Sequence, residues 1–185
     1  MANGTGIISA SVSGKRLGIL GLGAVGLAIA KRAHLGFDMP VSYHSRAPRQ
    51  DVPYTWYDSP LHLAEAVDIL VVATPGGANT HHLVDAQVLK ALGPEGYLVN
   101  IARASVVDTQ ALVAALQHGQ LAGAALDVFD DEPAVPDALK ALGNTVLTPH
   151  VAGQSPEAAR DTVTLVLRNL QAFFAGEAVL TPVRQ

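Results

Sequence analysis

A glycine-rich turn between an apolar strand and a helix constrains the fold of this chain more than any other sequence feature. The run Arg16–Leu20 predicts a short buried strand, and Ala24–Leu35 has the apolar periodicity of a helix. Residues 21–26, Gly-Leu-Gly-Ala-Val-Gly, lie between them and form a G-x-G-x-x-G motif. A turn of this kind at the end of a strand is typical of α/β domains in which a helix returns over a parallel sheet.

Each glycine of the motif has its own expected role. Gly21 permits a tight turn, Gly23 lets the backbone approach a ligand, and Gly26 lets the helix pack closely on the strand. The first helical amides, at Ala24 and Val25, would then offer N–H groups and a partial positive charge to a pyrophosphate. The alternative is a glycine-rich turn without a ligand, but the strand and helix around it favour a dinucleotide.

The rest of the chain alternates apolar runs with helical patterns. Further strands are predicted at residues 40–43, 68–73, 97–101, 121–128 and 144–147, and further helices at 60–66, 85–92, 109–118, 136–142 and 156–174. In the first helix we expect Val25, Ile29 and Ala33 on one face. The pattern predicts an α/β fold with a doubly wound parallel sheet of the Rossmann type, in which residues 1–13 are a tail and residues 14–185 are one NAD(P)-binding domain.

Composition excludes several other classes of protein. The 185 residues are 49% hydrophobic and 15% charged, which argues against disorder, and the net charge of -4 without a basic run argues against nucleic-acid binding. The absence of cysteine excludes disulfides and thiolate chemistry. No signal peptide or membrane-spanning run is evident, so we expect a cytoplasmic protein.

The end of the second strand bears on cofactor choice. Dinucleotide sites for NAD usually place an acidic residue there to bind the ribose 2′-hydroxyl, whereas residues 43–46 are Tyr-His-Ser-Arg and Asp51 lies beyond the turn. Ser45 and Arg46 are therefore expected to bind the 2′-phosphate of NADP. The alternative is that Arg46 and Arg49 are solvated loop charges and that NAD is used.

Three polar residues follow three of the predicted strands. Arg103, Glu132 and His150 come after the third-last, second-last and last strands, where ligands of open α/β sheets bind. Reduction of a 2-oxo acid needs a cation for the carboxylate, a proton donor for the carbonyl oxygen and a carboxylate to orient that donor. Taken singly, His150 could be satisfied by backbone, Glu132 could be a solvated turn residue, and Arg103 could cap a helix or pair with Asp108.

Other chemistries find little support. His81 and His82 follow a strand end too, but adjacent residues on a helix would not face one site. No His, Asp and Glu cluster has metal-ligand spacing, so no metal is expected. A G-x-S-x-G nucleophile turn is also missing from the sequence.

Four segments carry a family resemblance. They are LGILGLGAVGLAIA, LVNIARASVVD, GAALDVFDDEP and NTVLTPHVAG, and they resemble the successive motifs of the D-isomer-specific 2-hydroxyacid dehydrogenases, with YHSR and VVATPGG similar to the glyoxylate/hydroxypyruvate reductase branch. The resemblance implies catalytic roles for Arg103, Glu132 and His150. It also implies cofactor contacts at Thr74, Pro75, Thr80, Ile101, Ala102 and, for the nicotinamide carboxamide, Asp127.

The resemblance also implies an activity and partners. We expect an oxidoreductase that transfers hydride between NADP, or else NAD, and a small-molecule 2-oxo or 2-hydroxy acid, with a homodimer as its assembly. Family members carry an N-terminal substrate domain that this sequence lacks, so weak turnover by the chain alone is expected. A non-catalytic NADP-binding dimerisation or regulatory module, and an NAD-dependent enzyme for a larger acid, are the alternatives.

Overall fold

The computed structural model describes residues 11–183 and divides the chain into two compact units, with the boundary between Pro149 and His150. Of the predicted N-terminal tail, residues 1–10 lie outside the described residues. The first unit contains seven strands: β1 Leu17–Leu20, β2 Val41–His44, β3 Thr55–Tyr57, β4 Ile69–Val72, β5 Tyr97–Asn100, β6 Gly123–Leu126 and β7 Thr145–Leu147. They form one parallel sheet in the order β3-β2-β1-β4-β5-β6-β7.

Helices connect successive strands, except β2 and β3, which a loop joins, and they cover the sheet. Those of the first unit are α1 Ala24–Phe37, α2 Pro60–Glu65, α3 Ala86–Leu92, α4 Thr109–Gln117 and α5 Asp137–Lys140. The strand order reverses direction between β1 and β4, because the chain first builds outward to β3 and then crosses back. This is a doubly wound α/β sheet, so the predicted fold class is confirmed.

The sheet is buried on both faces. Successive residues of β4 show this, since Leu70 and Val72 pack into one hydrophobic cluster while Val71, between them, packs into another. Side chains alternate across a strand, so the two clusters lie on opposite faces of the sheet. Burial on both faces explains why the sequence of this strand is a continuous apolar run rather than an alternating one.

The register of the ladder places the carboxyl ends of all seven strands along one edge. The last residues of these strands are paired in turn: Tyr57, His44, Leu20, Val72, Asn100, Leu126 and Leu147. The loops that follow these strands therefore all begin at the same edge of the sheet. That edge is where an open α/β sheet of this kind receives ligands.

One strand of this unit was not predicted, and the buried face of one helix was predicted only in part. The edge strand β3 was not predicted, because three residues following Pro53 are too few to show an alternating pattern. In α1 the buried residues are Gly26, Ala30 and Ala33, whereas Val25 is 58% exposed. Small side chains allow the helix to approach the sheet closely, so the buried face follows residue size rather than hydrophobicity alone.

The second unit is built on one long helix, α6 Pro156–Phe174. Ser155 caps it by accepting a hydrogen bond from the Ala158 N–H group at 3.0 Å. Near the other end Asn169 bonds twice to Thr181, once to its hydroxyl and once to its backbone N–H, which holds the following segment beside the helix. No helix between residues 11 and 183 is both long and apolar enough to span a bilayer.

Candidate functional site

The glycine turn after β1 is fixed by close packing at two of its three glycines. Gly21 has a φ of +98°, and a Cβ atom there would lie 2.7 Å from the backbone of Thr74. A Cβ at Gly26 would lie 2.2 Å from the Gly21 carbonyl oxygen. At Gly23 a Cβ would meet nothing within 4 Å. The turn therefore presents open space at Gly23 alone, in agreement with the geometry of a phosphate-binding loop.

The helix that follows this turn begins without a side-chain cap from the described part of the chain. Gly23 is its N-cap residue, contributes no side-chain hydrogen bond, and is followed by a first turn without an acidic residue. The leading N–H groups, at Ala24 and Val25, lack intrahelical acceptors, as in any α-helix. With the helix dipole, they form an environment that suits an anion.

The loop after β2 carries two arginines that differ in their hydrogen bonding. Arg46 is exposed and makes no hydrogen bond or ion pair within residues 11–183, whereas Arg49 is engaged by other protein groups. The Ser45 hydroxyl donates to the Ala47 carbonyl at 2.7 Å, and the Trp56 indole N–H donates to the Ser45 carbonyl at 3.1 Å. The loop is thus held by its own backbone contacts while the Arg46 guanidinium stays open to a ligand.

A cleft of about 650 Å³ lies at the carboxyl edge of the sheet. It brings together six of the residues singled out in the sequence: Val25, Thr74, Pro75, Ile101, Ala102 and Arg103. Thr80 is not among its lining residues. Its hydroxyl instead donates to the Pro75 carbonyl at 2.8 Å, so it shapes the loop that does line the cleft.

Arg103 is held in this cleft by several neighbours, one of which, Asn100, the sequence analysis did not single out. Asn100 is only 2% exposed, and its amide donates to the Arg103 carbonyl at 3.1 Å while its oxygen accepts from the Ala102 N–H at 3.0 Å. A Cβ at Gly76 would lie 2.9 Å from Cγ of Arg103. One N–H of the guanidinium donates to the Ala102 carbonyl at 2.6 Å. A polar residue in the last position of an apolar strand was the available signal for Asn100.

The loop after β6 carries two acidic residues with defined partners. Asp127 is 4% exposed, and the Thr148 hydroxyl donates to its carboxylate at 2.6 Å. Glu132 accepts the Phe129 N–H at 2.9 Å, and the peptide bond from Glu132 to Pro133 is cis. Asp127 is therefore a buried carboxylate at a strand end, and its link to Thr148 was not predicted.

His150 is the first residue of the second unit. It has a φ of +55°, unusual for a residue with a side chain, and its carbonyl accepts a hydrogen bond from the Gln154 amide at 3.1 Å. The joint arrangement of Arg103, Glu132 and His150 remains a prediction.

Contrary to the sequence analysis, His81 and His82 do not lie on an α-helix. Both follow a one-turn 3₁₀ helix rather than lying on an α-helix, and their rings stack with centroids 3.9 Å apart. Nδ1 of His82 lies 3.9 Å from the Asp108 carboxylate, which itself caps α4 through the Ala111 N–H. Among residues 11–183, no group of three or more His, Asp and Glu side chains is placed to hold a metal ion.

Curated relatives share this sequence over nearly its whole length. Hydroxyphenylpyruvate reductase of Plectranthus scutellarioides is 48% identical over 176 residues, which are 95% of this chain and 56% of that protein. Glyoxylate/hydroxypyruvate reductase A of Arabidopsis thaliana is 49% identical, with the same coverage. The chain thus spans about half the length of the curated relatives it matches.

Solved structures agree with the sequence matches. The NADPH-dependent glyoxylate/hydroxypyruvate reductase of Sinorhizobium meliloti, crystallised with NADP and malonate, is 48% identical with a TM-score of 0.86, covering 92% of this chain and 53% of that one. The D-mandelate dehydrogenase of Rhodotorula graminis in its holo form is 33% identical with a TM-score of 0.91, covering 96% of this chain and 53% of that one.

The family assignment rests on a direct match as well. The profile of the D-isomer specific 2-hydroxyacid dehydrogenase NAD binding domain matches residues 2–152, which include the glycine turn and the strand ends that carry Arg103 and Glu132. Relatives and profile agree with the resemblance seen in the four sequence motifs. The chain therefore belongs to the D-isomer specific 2-hydroxyacid dehydrogenase family, within the NAD binding domain of that family.

Proposed function

We propose that this chain forms the cofactor-binding part of a reductase that transfers hydride between NADP(H) and a short 2-oxo or 2-hydroxy acid of the glyoxylate or hydroxypyruvate kind. One observation carries the proposal: Val25 of the first turn of α1 and Arg103 line a single cleft. The same cleft therefore offers a helix N-terminus for the phosphates of a dinucleotide and a guanidinium for the carboxylate of a 2-oxo acid. The relatives named as reductases disfavour a purely non-catalytic module.

The cofactor fits the residues around the turn. Open space at Gly23 accommodates a pyrophosphate, and the uncapped start of α1 supplies N–H donors and a favourable dipole. Arg46 is an exposed guanidinium for the 2′-phosphate, and no acid follows β2 directly to favour the 2′-hydroxyl instead. The similar Sinorhizobium enzyme is NADPH-dependent and was crystallised with NADP, which supports NADP as the cofactor, with NAD as the alternative.

Arg103 is the proposed anchor of the substrate. A guanidinium presents paired N–H groups that match a carboxylate, and Arg103 uses one of its five donors on the Ala102 carbonyl. Asn100 and Gly76 fix the loop around it, so the remaining donors need little reorganisation when a 2-oxo acid enters.

The hydride and the proton that reduce the carbonyl group would come from different donors. When bound, a reduced nicotinamide supplies the hydride. His150 would protonate the carbonyl oxygen as charge develops there, and Glu132 would favour the protonated imidazole. Asp127, whose carboxylate accepts from Thr148 at the end of β6, would accept a hydrogen bond from the nicotinamide carboxamide and so orient the ring.

The decisive experiment follows NADPH oxidation with glyoxylate and with hydroxypyruvate, using this chain joined to the substrate domain of the Sinorhizobium relative. Arg103→Gln is expected to lower kcat/KM by about a hundredfold, which corresponds to about 2.7 kcal/mol of transition-state stabilisation. Arg32→Gln, on the exposed side of α1, is the matched control and should leave kcat/KM unchanged. Equal losses in the two variants, or no oxidation with either acid, would refute the proposal.

The assembly expected from the family is a homodimer. Helix α6 supports it, since large apolar side chains such as Val163, Phe173 and Phe174 are 60%, 66% and 81% exposed there. Exposed apolar surface of this kind marks contact sites for other protein surfaces. Light scattering of the purified chain across a concentration series tests the dimer, and a monomeric mass throughout would contradict it.

A further inference from the structure

Arg49 connects the loop after β2 to the glycine turn. Its Nη1 group donates to the Leu22 carbonyl oxygen at 2.8 Å, and its Nε and Nη2 groups donate to the two carboxylate oxygens of Asp51 at 2.9 and 2.5 Å. Its backbone N–H donates to the hydroxyl of Tyr43, a residue that is 1% exposed, at 2.7 Å. We call Arg49, Asp51 and the Leu22 carbonyl the Arg49 brace.

The brace acts on one peptide bond of the phosphate-binding motif. Leu22 supplies the carbonyl and Gly23 the N–H of the same peptide group, and in a planar trans peptide these two bonds point in opposite directions. Holding the Leu22 carbonyl toward Arg49 therefore turns the Gly23 N–H away from Arg49. Open space lies on the side of Gly23 where a side chain would stand, since a Cβ there would meet nothing within 4 Å.

The cation also changes the strength of that N–H as a donor. A guanidinium that donates to a carbonyl oxygen polarises the peptide group, because hydrogen bonds in a chain strengthen one another. The N–H at the opposite end of the same peptide then becomes a better donor to an anion. A fixed direction and an enhanced donor strength are both properties that a pyrophosphate site uses.

We propose that Arg49 is a positioning residue of the pyrophosphate site, setting the Leu22–Gly23 peptide for the phosphates shared by NADPH and NADH, whereas Arg46 serves the 2′-phosphate of NADPH alone. The inference rests on the proposed cofactor binding, and it adds that two arginines three positions apart act on different parts of the cofactor. The bonds from Arg49 to Leu22 and Asp51 already occupy three of its N–H donors.

Asp51 keeps the brace in place at neutral pH. The hydrogen bond from Arg49 lowers the pKa of Asp51, and the bond to Asp51 raises the pKa of Arg49. Both groups therefore stay charged around neutrality. Tyr43 anchors the backbone of Arg49 to β2, so the guanidinium is attached to the sheet at one end and to the glycine turn at the other.

The test compares Arg49→Met with Arg46→Met in titrations of the full chain with NADPH and with NADH. Loss of a hydrogen bond from a charged group predicts that Arg49→Met weakens binding of both cofactors by about tenfold. Arg46→Met is expected to weaken NADPH binding alone. A loss confined to NADPH in Arg49→Met, or no loss for either cofactor, would overturn the proposal.

A second variant examines the carboxylate. Asp51→Asn weakens the hold on Arg49 while keeping the guanidinium, so both affinities should fall by a smaller and equal factor. A selective gain in NADPH affinity would instead show that Asp51 keeps Arg49 from the 2′-phosphate, and the proposal would fail.

A measurement without cofactor separates this proposal from the proposed function. The amide resonance of Gly23 in the ligand-free chain should shift in Arg49→Met and stay in place in Arg46→Met. An unshifted resonance in Arg49→Met would overturn the brace even if both cofactors bind. If the unmodified chain bound neither cofactor, the proposed function would fail on that result, whatever the Gly23 amide showed. Should Arg49→Met unfold, the cofactor titrations and the measurement of the Gly23 amide resonance are repeated with Arg49→Gln, which retains an amide donor.

Discussion

The glycine turn and the loops that follow β5 and β6 lie on one edge of the sheet but are built in opposite ways. At the turn, open space is the functional element: a Cβ at Gly23 would meet nothing within 4 Å, and no side-chain hydrogen bond from the described residues caps the first helical turn. At the ends of β5 and β6, polar side chains fix the geometry: Asn100 holds the backbone of the Arg103 loop, and the Thr148 hydroxyl donates to the Asp127 carboxylate.

The difference follows from what each region is expected to bind. A pyrophosphate is recognised by backbone N–H groups that need room for close approach. A 2-oxo acid and a nicotinamide ring are recognised by side chains whose directions must be fixed in advance. Substitutions that fill space should therefore damage the first region, and substitutions that remove a buried hydrogen bond should damage the second.

The largest effects are expected in the turn, from two valine substitutions of opposite kind. Gly26→Val would place a side chain against the Gly21 carbonyl, 2.2 Å from its Cβ, so a loss of about 3 kcal/mol or more in the free energy of unfolding is expected. Gly23→Val meets no protein atom and should leave stability almost unchanged while abolishing NADPH binding. Urea denaturation and cofactor titration check the two variants, and retained binding in Gly23→Val would show that phosphates do not sit there.

Much of this first region could be predicted from the sequence, and less of the second. The glycine motif is local in the chain, so its flanking strand and helix were enough to assign a role to Gly23. Asn100 acts through residues two and three positions later, but only after a loop has formed that sequence periodicity does not describe. Arg49 bonds to a carbonyl 27 positions away, a contact that depends on the pairing of β1 with β2.

A loss of intermediate size is expected at Asn100. Asn100→Ala leaves the Ala102 N–H and the Arg103 carbonyl without their partner, so the free energy of unfolding should fall by about 1–3 kcal/mol. Asn144→Ala is a suitable control, because its side chain makes no hydrogen bond within the described part of the chain and should change stability by less than about 0.5 kcal/mol. Chemical denaturation of both variants provides the comparison, and indistinguishable midpoints would contradict the role given to Asn100.

A comparable but selective effect is expected at Arg46. Removing its guanidinium in Arg46→Ala should weaken NADPH binding by about 1.5–3 kcal/mol, the range for a hydrogen bond to a charged group, and leave NADH binding nearly unchanged. Calorimetric titration with each cofactor measures both affinities. Parallel losses for the two cofactors would assign Arg46 to a part of the site that they share.

The smallest effect is expected at the opposite edge of the sheet, where Asp68 pairs with Arg16 at 2.6 Å. The side-chain hydrogen bond from Arg16 is the main reason that the pKa of Asp68 is lowered. Because its folded-state pKa is lower than its unfolded-state value, the pair stabilises the fold at neutral pH, and this stabilisation is lost as the pH falls through the lowered pKa.

Asp68→Asn should therefore reduce the free energy of unfolding at neutral pH by about 1 kcal/mol and flatten its decline in acid. Denaturation across a pH series measures both changes. NADPH affinity should be unaffected, so this variant separates general stability from effects on the site. A coincident loss of cofactor affinity would show that the two edges of the sheet are coupled.

The most direct test of the account is a side-by-side titration of the unmodified chain with NADPH and with NADH. The open glycine turn, the helix without a side-chain cap and Arg46, which has no partner among residues 11–183, predict that both cofactors bind. NADPH should bind more tightly by at least about tenfold, equivalent to about 1.4 kcal/mol. Equal affinities would contradict the role of Arg46, and failure of both cofactors to bind would contradict the site itself.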